Sequence, residues 1–222
     1  VRTRAELNAV VSRLREAGRF ALCVVRGTPS AMQAPIVGIA VSTADHWARY
    51  VPTGHGGADA GGDLLSMSNR PEQLDLDAVL DALRPVLEDP AIPVVGHDIK
   101  ADVIVLARHG VALTGLDFDT MLAAYLLDAT RPGHPLEETS VEYLKYQPLT
   151  LEEVSGKGAK AVPLSTLEPE AVLDFACERA DVAWRLAARL APLLTDTQLM
   201  EVYRTLEMPL VPVLAAVERA VD

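Results

Sequence analysis

Cysteine is nearly absent from this chain, with Cys23 and Cys177 the only two in 222 residues. A domain of this length can build a core without disulfides, so both are expected as buried, reduced thiols, and no zinc site can be assembled from cysteine alone. Long hydrophobic runs are missing too. Runs such as Val103 to Ala107 fall far short of the ~20 residues a membrane-spanning helix needs, and the N-terminus carries no charged-then-apolar leader. Positive charge is scarce, with 20 Lys and Arg against 31 Asp and Glu and a net charge of -11. That balance works against free-standing affinity for nucleic acid, because phosphate binding is driven by Lys and Arg. A cytosolic globular chain is expected, with no membrane contact.

What is present reads as an α/β domain. Thr3 is placed to cap a helix with Leu7, Val10, Val11 and Leu14 on one face, and Gly18 to stop it. Three runs rich in β-formers follow, Phe20 to Val25, Ile36 to Ser42 and His46 to Val51, and predict an antiparallel meander. The glycine-rich stretch from Pro52 to Gln73 predicts a long exposed loop. Leu74 to Leu87 reads as a helix, Pro93 to Val95 as a short buried strand ending at Gly96, and Ile99 to His109 as the helix after it. Asp119 is expected to cap a helix to Leu127, and Pro135 to open another to Lys145. Leu149 to Lys160 reads as a short helix and a loop. In the long helix from Leu167 to Leu194, the buried stripe is expected at Leu173, Cys177, Ala180, Trp184, Ala187 and Ala191. The expected architecture is a mixed sheet with helices packed on it and a helical C-terminal half.

Three stretches, VVGHDIKADVIVLARHG from Val94, FDTMLAAYLLD from Phe118 and FACERADVAWRL from Phe175, resemble the 3′-to-5′ exonuclease domain of bacterial family A DNA polymerases. The resemblance covers nearly the whole chain and implies the RNase H-like fold of DnaQ-type exonucleases. In that family four carboxylates hold two divalent metals, which clamp the attacking and departing oxygens of phosphodiester hydrolysis about 3.5 to 4 Å apart. Hard oxygen ligands suit Mg²⁺ and Mn²⁺. The family's Asp-x-Glu on the first strand corresponds here to Cys23 and Val25, and no acid occurs between Ala17 and Asp45. Its Tyr-x-x-x-Asp corresponds to Phe175 and Arg179. Only Asp102, in GHDIKAD, remains an acid at a family ligand position, a solvated helix carboxylate being the other reading of that residue. Asp98 reads as an N-cap, where the family has Asn.

The expectation is a degenerate, inactive exonuclease domain over residues 1–205. Residues 206–222, EMPLVPVLAAVERAVD with its preceding Leu, resemble the start of the helix leading into the polymerase domain, so the chain reads as a fragment of a longer protein. That polymerase domain is the expected partner, DNA is reached through the parent protein, and Mg²⁺ is expected there, with no metal or cofactor bound by this domain. With its metals gone, Arg179 is expected to neutralise Asp102 and lower its pKa. An active nuclease recruiting Asp98, Asp45 or Asp181 beside Asp102 is the alternative. Asp181 lies about 200° around the helix from Arg179, which argues against it. A free-standing protein-interaction domain is a third reading. His46, His55, His97, His109 and His134 show no ligand spacing and read as surface or turn residues. Gly54 to Gly62 lacks the lysine ending of a nucleotide loop, and Lys157 and Lys160 are weak candidates for phosphate contact.

Overall fold

A computed structural model describes residues 1–56 and 71–221. Helix α1 (Arg4–Ala17) begins at a reciprocal capping box between Thr3 and Glu6 and ends at Gly18 in the left-handed region, φ 66°. Strands β1 (Phe20–Arg26), β2 (Ile36–Ala44) and β3 (Trp47–Pro52) form the expected antiparallel meander. Helix α2 (Leu76–Leu87) precedes β4 (Val94–Gly96), α3 (Ile99–Arg108), β5 (Leu116–Asp119) and α4 (Thr120–Leu127). β4 and β5 add in parallel on the far side of β1, giving the sheet order β3-β2-β1-β4-β5. The sheet is therefore mixed. The Pro52 to Gln73 loop lies mostly outside the described residues, but its ends are fixed. His55 is buried, and its backbone exchanges two hydrogen bonds with the Gln73 amide, of 2.9 and 2.7 Å.

Helices α5 (Leu136–Leu144), α6 (Leu151–Ser155), α7 (Pro169–Asp196), α8 (Met200–Val202) and α9 (Met208–Val221) make the second half helical, with a π-helical turn at Tyr203–Glu207 between the last two. Among the described residues no helix is long and apolar enough to cross a membrane.

Alternation along β1 sorts its side chains between two cores. Phe20, Leu22 and Val24 join the main cluster with α1, α2 and α3, whereas Cys23 and Val25 point to the other face, onto Val37, Tyr50, Phe175 and Ala176. The expected stripe on α7 holds at Ala180 and Ala187 and falls one residue late elsewhere. Leu173 is exposed, and the buried face runs through Val172, Ala176, Ala180, Ala183, Ala187 and Leu190. A one-residue displacement turns the face by about 100°. Apolar residues flank both sides of this helix, and only packing against β1 and β2 selects one.

Candidate active-site cleft

Asp119 fixes the geometry around the cleft, because β4 and β5 end side by side, Gly96 opposite Asp119, and each hands over to a helix. Its carboxylate accepts the amides of Met121 and Leu122 at the start of α4, at 2.9 and 3.4 Å. It also accepts Asp98 N–H at 3.1 Å and Ile99 N–H at 2.9 Å at the start of α3. The cap expected of Asp98 is thus made by Asp119. Asp98 is left-handed, φ 59°, so its own side chain makes no cap bond. Burial pushes the Asp119 carboxyl up to about 6, with the Ile99 amide foremost among the donors pulling the other way. Tyr203, fully buried, locks the same residue from behind, accepting Asp119 N–H at 2.6 Å and donating to its carbonyl at 3.0 Å.

The cleft, of about 550 Å³, opens between β1, α3, α7 and the segment after α6. Cys23, Val25, Asp102, Phe175 and Arg179 all line it, so the structure brings the five sequence-derived positions together. Cys23 is a thiol whose pKa burial raises to about 12. Asp102 is 5% exposed, and its carboxylate accepts the Val24 amide at 3.3 Å. β4 pairs with β1 only at Phe20 and Ala21, so Val24 takes its acceptor from α3. Burial raises the Asp102 carboxyl well above the usual carboxylate range, with the charges of Asp98 and Asp119 acting in the same direction.

The expected pairing of Arg179 with Asp102 does not form, and the expected fall in the Asp102 pKa is reversed. Arg179 lies over the Phe175 ring one turn earlier, 4.5 Å from its centroid, and its guanidinium pairs with Glu137 on α5. The Asp102 carboxylate is instead occupied with β1. The cation that most lowers its pKa is Arg26, the last residue of β1, whose guanidinium is 3.9 Å from Asp98. Arg26 was not foreseen, since nothing in its spacing distinguishes it from other strand-end arginines. His97 was read as a surface or turn residue, yet it lines the cleft. Its Nδ1 meets the Thr120 hydroxyl at 2.8 Å, Nε2 donates to the His134 carbonyl at 2.9 Å, and burial drives its pKa to about 3. His55 and His134 are also interior, and the Tyr50 hydroxyl meets His55 Nε2 at 2.7 Å.

Asp181 faces away from the cleft, accepting the His46 amide at 2.6 Å in the β2–β3 turn. Among the described residues no group of three or more His, Cys, Asp or Glu side chains could hold a metal ion. The donor set does not fit the dication pair of the exonuclease family. A buried protonated thiol, an isopropyl group and an arginine stand at three positions, leaving one carboxyl. Asp102→Asn keeps an acceptor for Val24 and removes the buried ionisable group. Because the folded-state pKa is raised, the stability Asp102 contributes is present below its unfolded pKa near 4 and lost as pH rises through the folded value. The variant is therefore expected to match the parent near pH 4 and exceed it at pH 8, by about 1 kcal/mol or more, in urea unfolding.

The mixed sheet with a helix-lined cleft at the ends of β1 and β4 defines an RNase H-like, DnaQ-type exonuclease fold. An apo nuclease shares it with a TM-score of 0.69 at 18% identity, over 95% of this chain and 87% of that one. The chain belongs to the DNA polymerase I family, its residues 70–186 matching the family described as DNA polymerase I, ribonuclease H-like domain. DNA polymerase I of Pseudomonas aeruginosa is 38% identical over 218 residues, which is 97% of this chain and 23% of that protein. The chain thus spans less than a quarter of the length of the curated relatives it matches. The POL domain of Pol1 from M. smegmatis, in complex with DNA primer-template and dNTP, superposes with a TM-score of 0.71 at 24% identity, over 98% of this chain and 31% of that one. The chain therefore corresponds to the ribonuclease H-like domain of that family.

Proposed function

We propose that the domain has lost metal-dependent hydrolysis and serves as a structural and positioning module for the polymerase domain of a longer chain, in DNA replication and repair in the cytoplasm. The observation that carries this reading is the donor set of the cleft: Cys23, Val25 and an Arg179 already paired with Glu137. Two dications need several carboxylates acting together, and a guanidinium repels them. The remaining polar groups around the cleft have partners in the chain, Arg26 with Asp98 and the Asp102 carboxyl with the Val24 amide. The alternative, an active nuclease with recruited ligands, finds little support, because Asp181 is turned to the β2–β3 turn and Asp98 points to Arg26.

The positioning role draws on α9, which leaves Leu210, Val213, Leu214 and Val217 exposed, as the π-turn leaves Leu206. Such an apolar face suits contact with a further domain, and the relatives supply one in their greater length. Residues 206–222 would lead into it, and Mg²⁺ would be needed there, with none held by this domain. The carboxylate argument is tested by restoring the ligands. Cys23→Asp, Val25→Glu and Arg179→Asp together are expected to create Mn²⁺ binding measurable by calorimetry, whereas each alone should not, since ligands act as a set. Tight Mn²⁺ binding by the parent or by a single variant would contradict the reading.

A further inference from the structure

We propose that the groove between α1 and β3, where Arg13 and Arg49 both stack on Trp47, binds the phosphodiester backbone of DNA. The groove encloses about 370 Å³, and none of its lining residues lines the cleft. The two guanidinium carbons sit 5.1 and 4.8 Å from the indole centroid, so one ring holds both cations. Each is anchored by only part of its donor fork. Arg13 Nε donates to Thr43 Oγ1 at 3.1 Å and Arg49 Nη1 to the Ala48 carbonyl at 2.8 Å. Both residues are exposed, and among the described residues neither has a carboxylate within salt-bridge distance.

Glu6, the one acid lining the groove, is turned back onto the amides of Arg2 and Thr3 at the start of α1, at 2.7 and 3.0 Å. What remains is a pre-oriented pair of forks whose geometry matches phosphate oxygens, on a chain otherwise strongly acidic. The indole already carries both guanidiniums, so contact is to the backbone and is independent of sequence. The choice of DNA over another polyanion rests on membership of the DNA polymerase I family. It does not rest on whether the cleft is active.

The test is fluorescence anisotropy of a short labelled oligothymidylate with this chain, across a salt series in EDTA, so that cleavage does not enter. The parent is expected to bind weakly at low salt. Arg13→Ala/Arg49→Ala should lower affinity about tenfold and flatten the salt slope by about 1.4, two single-strand phosphate contacts. Arg13→Gln and Arg49→Gln, each alone, should flatten it by about 0.7, which keeps the test sound if the double variant folds poorly. The cleft variant Arg179→Met should bind as the parent does. In a Trp184→Phe background, the remaining Trp47 emission should change on titration. No binding by the parent at low salt, unchanged affinity and slope in the Arg13 and Arg49 variants, or loss of binding in Arg179→Met would each overturn the proposal.

Discussion

Asp119→Ala is expected to destabilise the chain by about 3–5 kcal/mol in urea unfolding, the largest effect of any single polar substitution around the cleft. One carboxylate closes the N-termini of α3 and α4 together, so alanine leaves four amide donors without their acceptor at a position 1% exposed. Losing an ordinary cap costs roughly 1 kcal/mol, and here two are lost inside the fold. Asp119→Asn keeps one acceptor oxygen and turns an NH₂ toward amide donors, for an expected loss of about 2 kcal/mol. The pH dependence has a definite sign. With the folded pKa raised from 3.8 to about 6, Asp119 contributes stability that is fully present below 3.8 and lost as pH rises through about 6. The deficit of Asp119→Asn should therefore widen as pH falls from 7 to 4. A loss below 1 kcal/mol for Asp119→Ala would show that the two helix starts are held by something else.

Gly38→Ala is expected to cost about 3 kcal/mol. A Cβ at position 38 would lie 2.4 Å from the Cε2 and Oη atoms of Tyr50, well inside contact distance. Tyr50, opposite Ala40 on β3, is diagonal to Gly38 across the strand pair and lies flat over it. The ring cannot retreat easily, because it is 1% exposed and its hydroxyl is held by His55 Nε2. His55 in turn meets the Leu167 carbonyl at 2.8 Å, just before α7. Gly38 thus lets the aromatic floor beneath Val25 and Phe175 form at all. The penalty should shrink in a Tyr50→Leu background, since the two positions share one clash. A cost that is the same in both backgrounds would place the strain elsewhere.

Elements set by local chemistry were legible in the sequence. The Thr3 cap, the β1 to β3 meander and the Asp119 cap are each encoded within a few residues, and all three form. The clustering of Cys23, Val25, Asp102, Phe175 and Arg179 was equally readable, because strand alternation and the i, i+4 relation place side chains before any packing is known. What escaped was decided by tertiary choice. β5 is four residues, LDFD, with two acids, and is a strand only because β4 lies beside it. The partner of Arg179 depends on Glu137, 42 residues away on a separate helix. The second cap made by Asp119 depends on β4 and β5 ending level, so Asp98, adjacent in sequence, looked like the better candidate. His55 and His97 were missed for a related reason, since their hydrogen-bond acceptors at Leu167 and His134 are backbone carbonyls that carry no side-chain signature.

The most direct test of the central claim is incubation of this chain with end-labelled single-stranded DNA in Mg²⁺ or Mn²⁺, resolved on a sequencing gel. Paired metals supply both the nucleophile and the charge clamp in such sites, and the cleft offers a single carboxyl among Cys23, Val25 and Arg179. The account predicts full-length label at every time point, for the parent and for Asp102→Ala alike. Metal-dependent shortening from the 3′ end by the parent, abolished in Asp102→Ala, would contradict it.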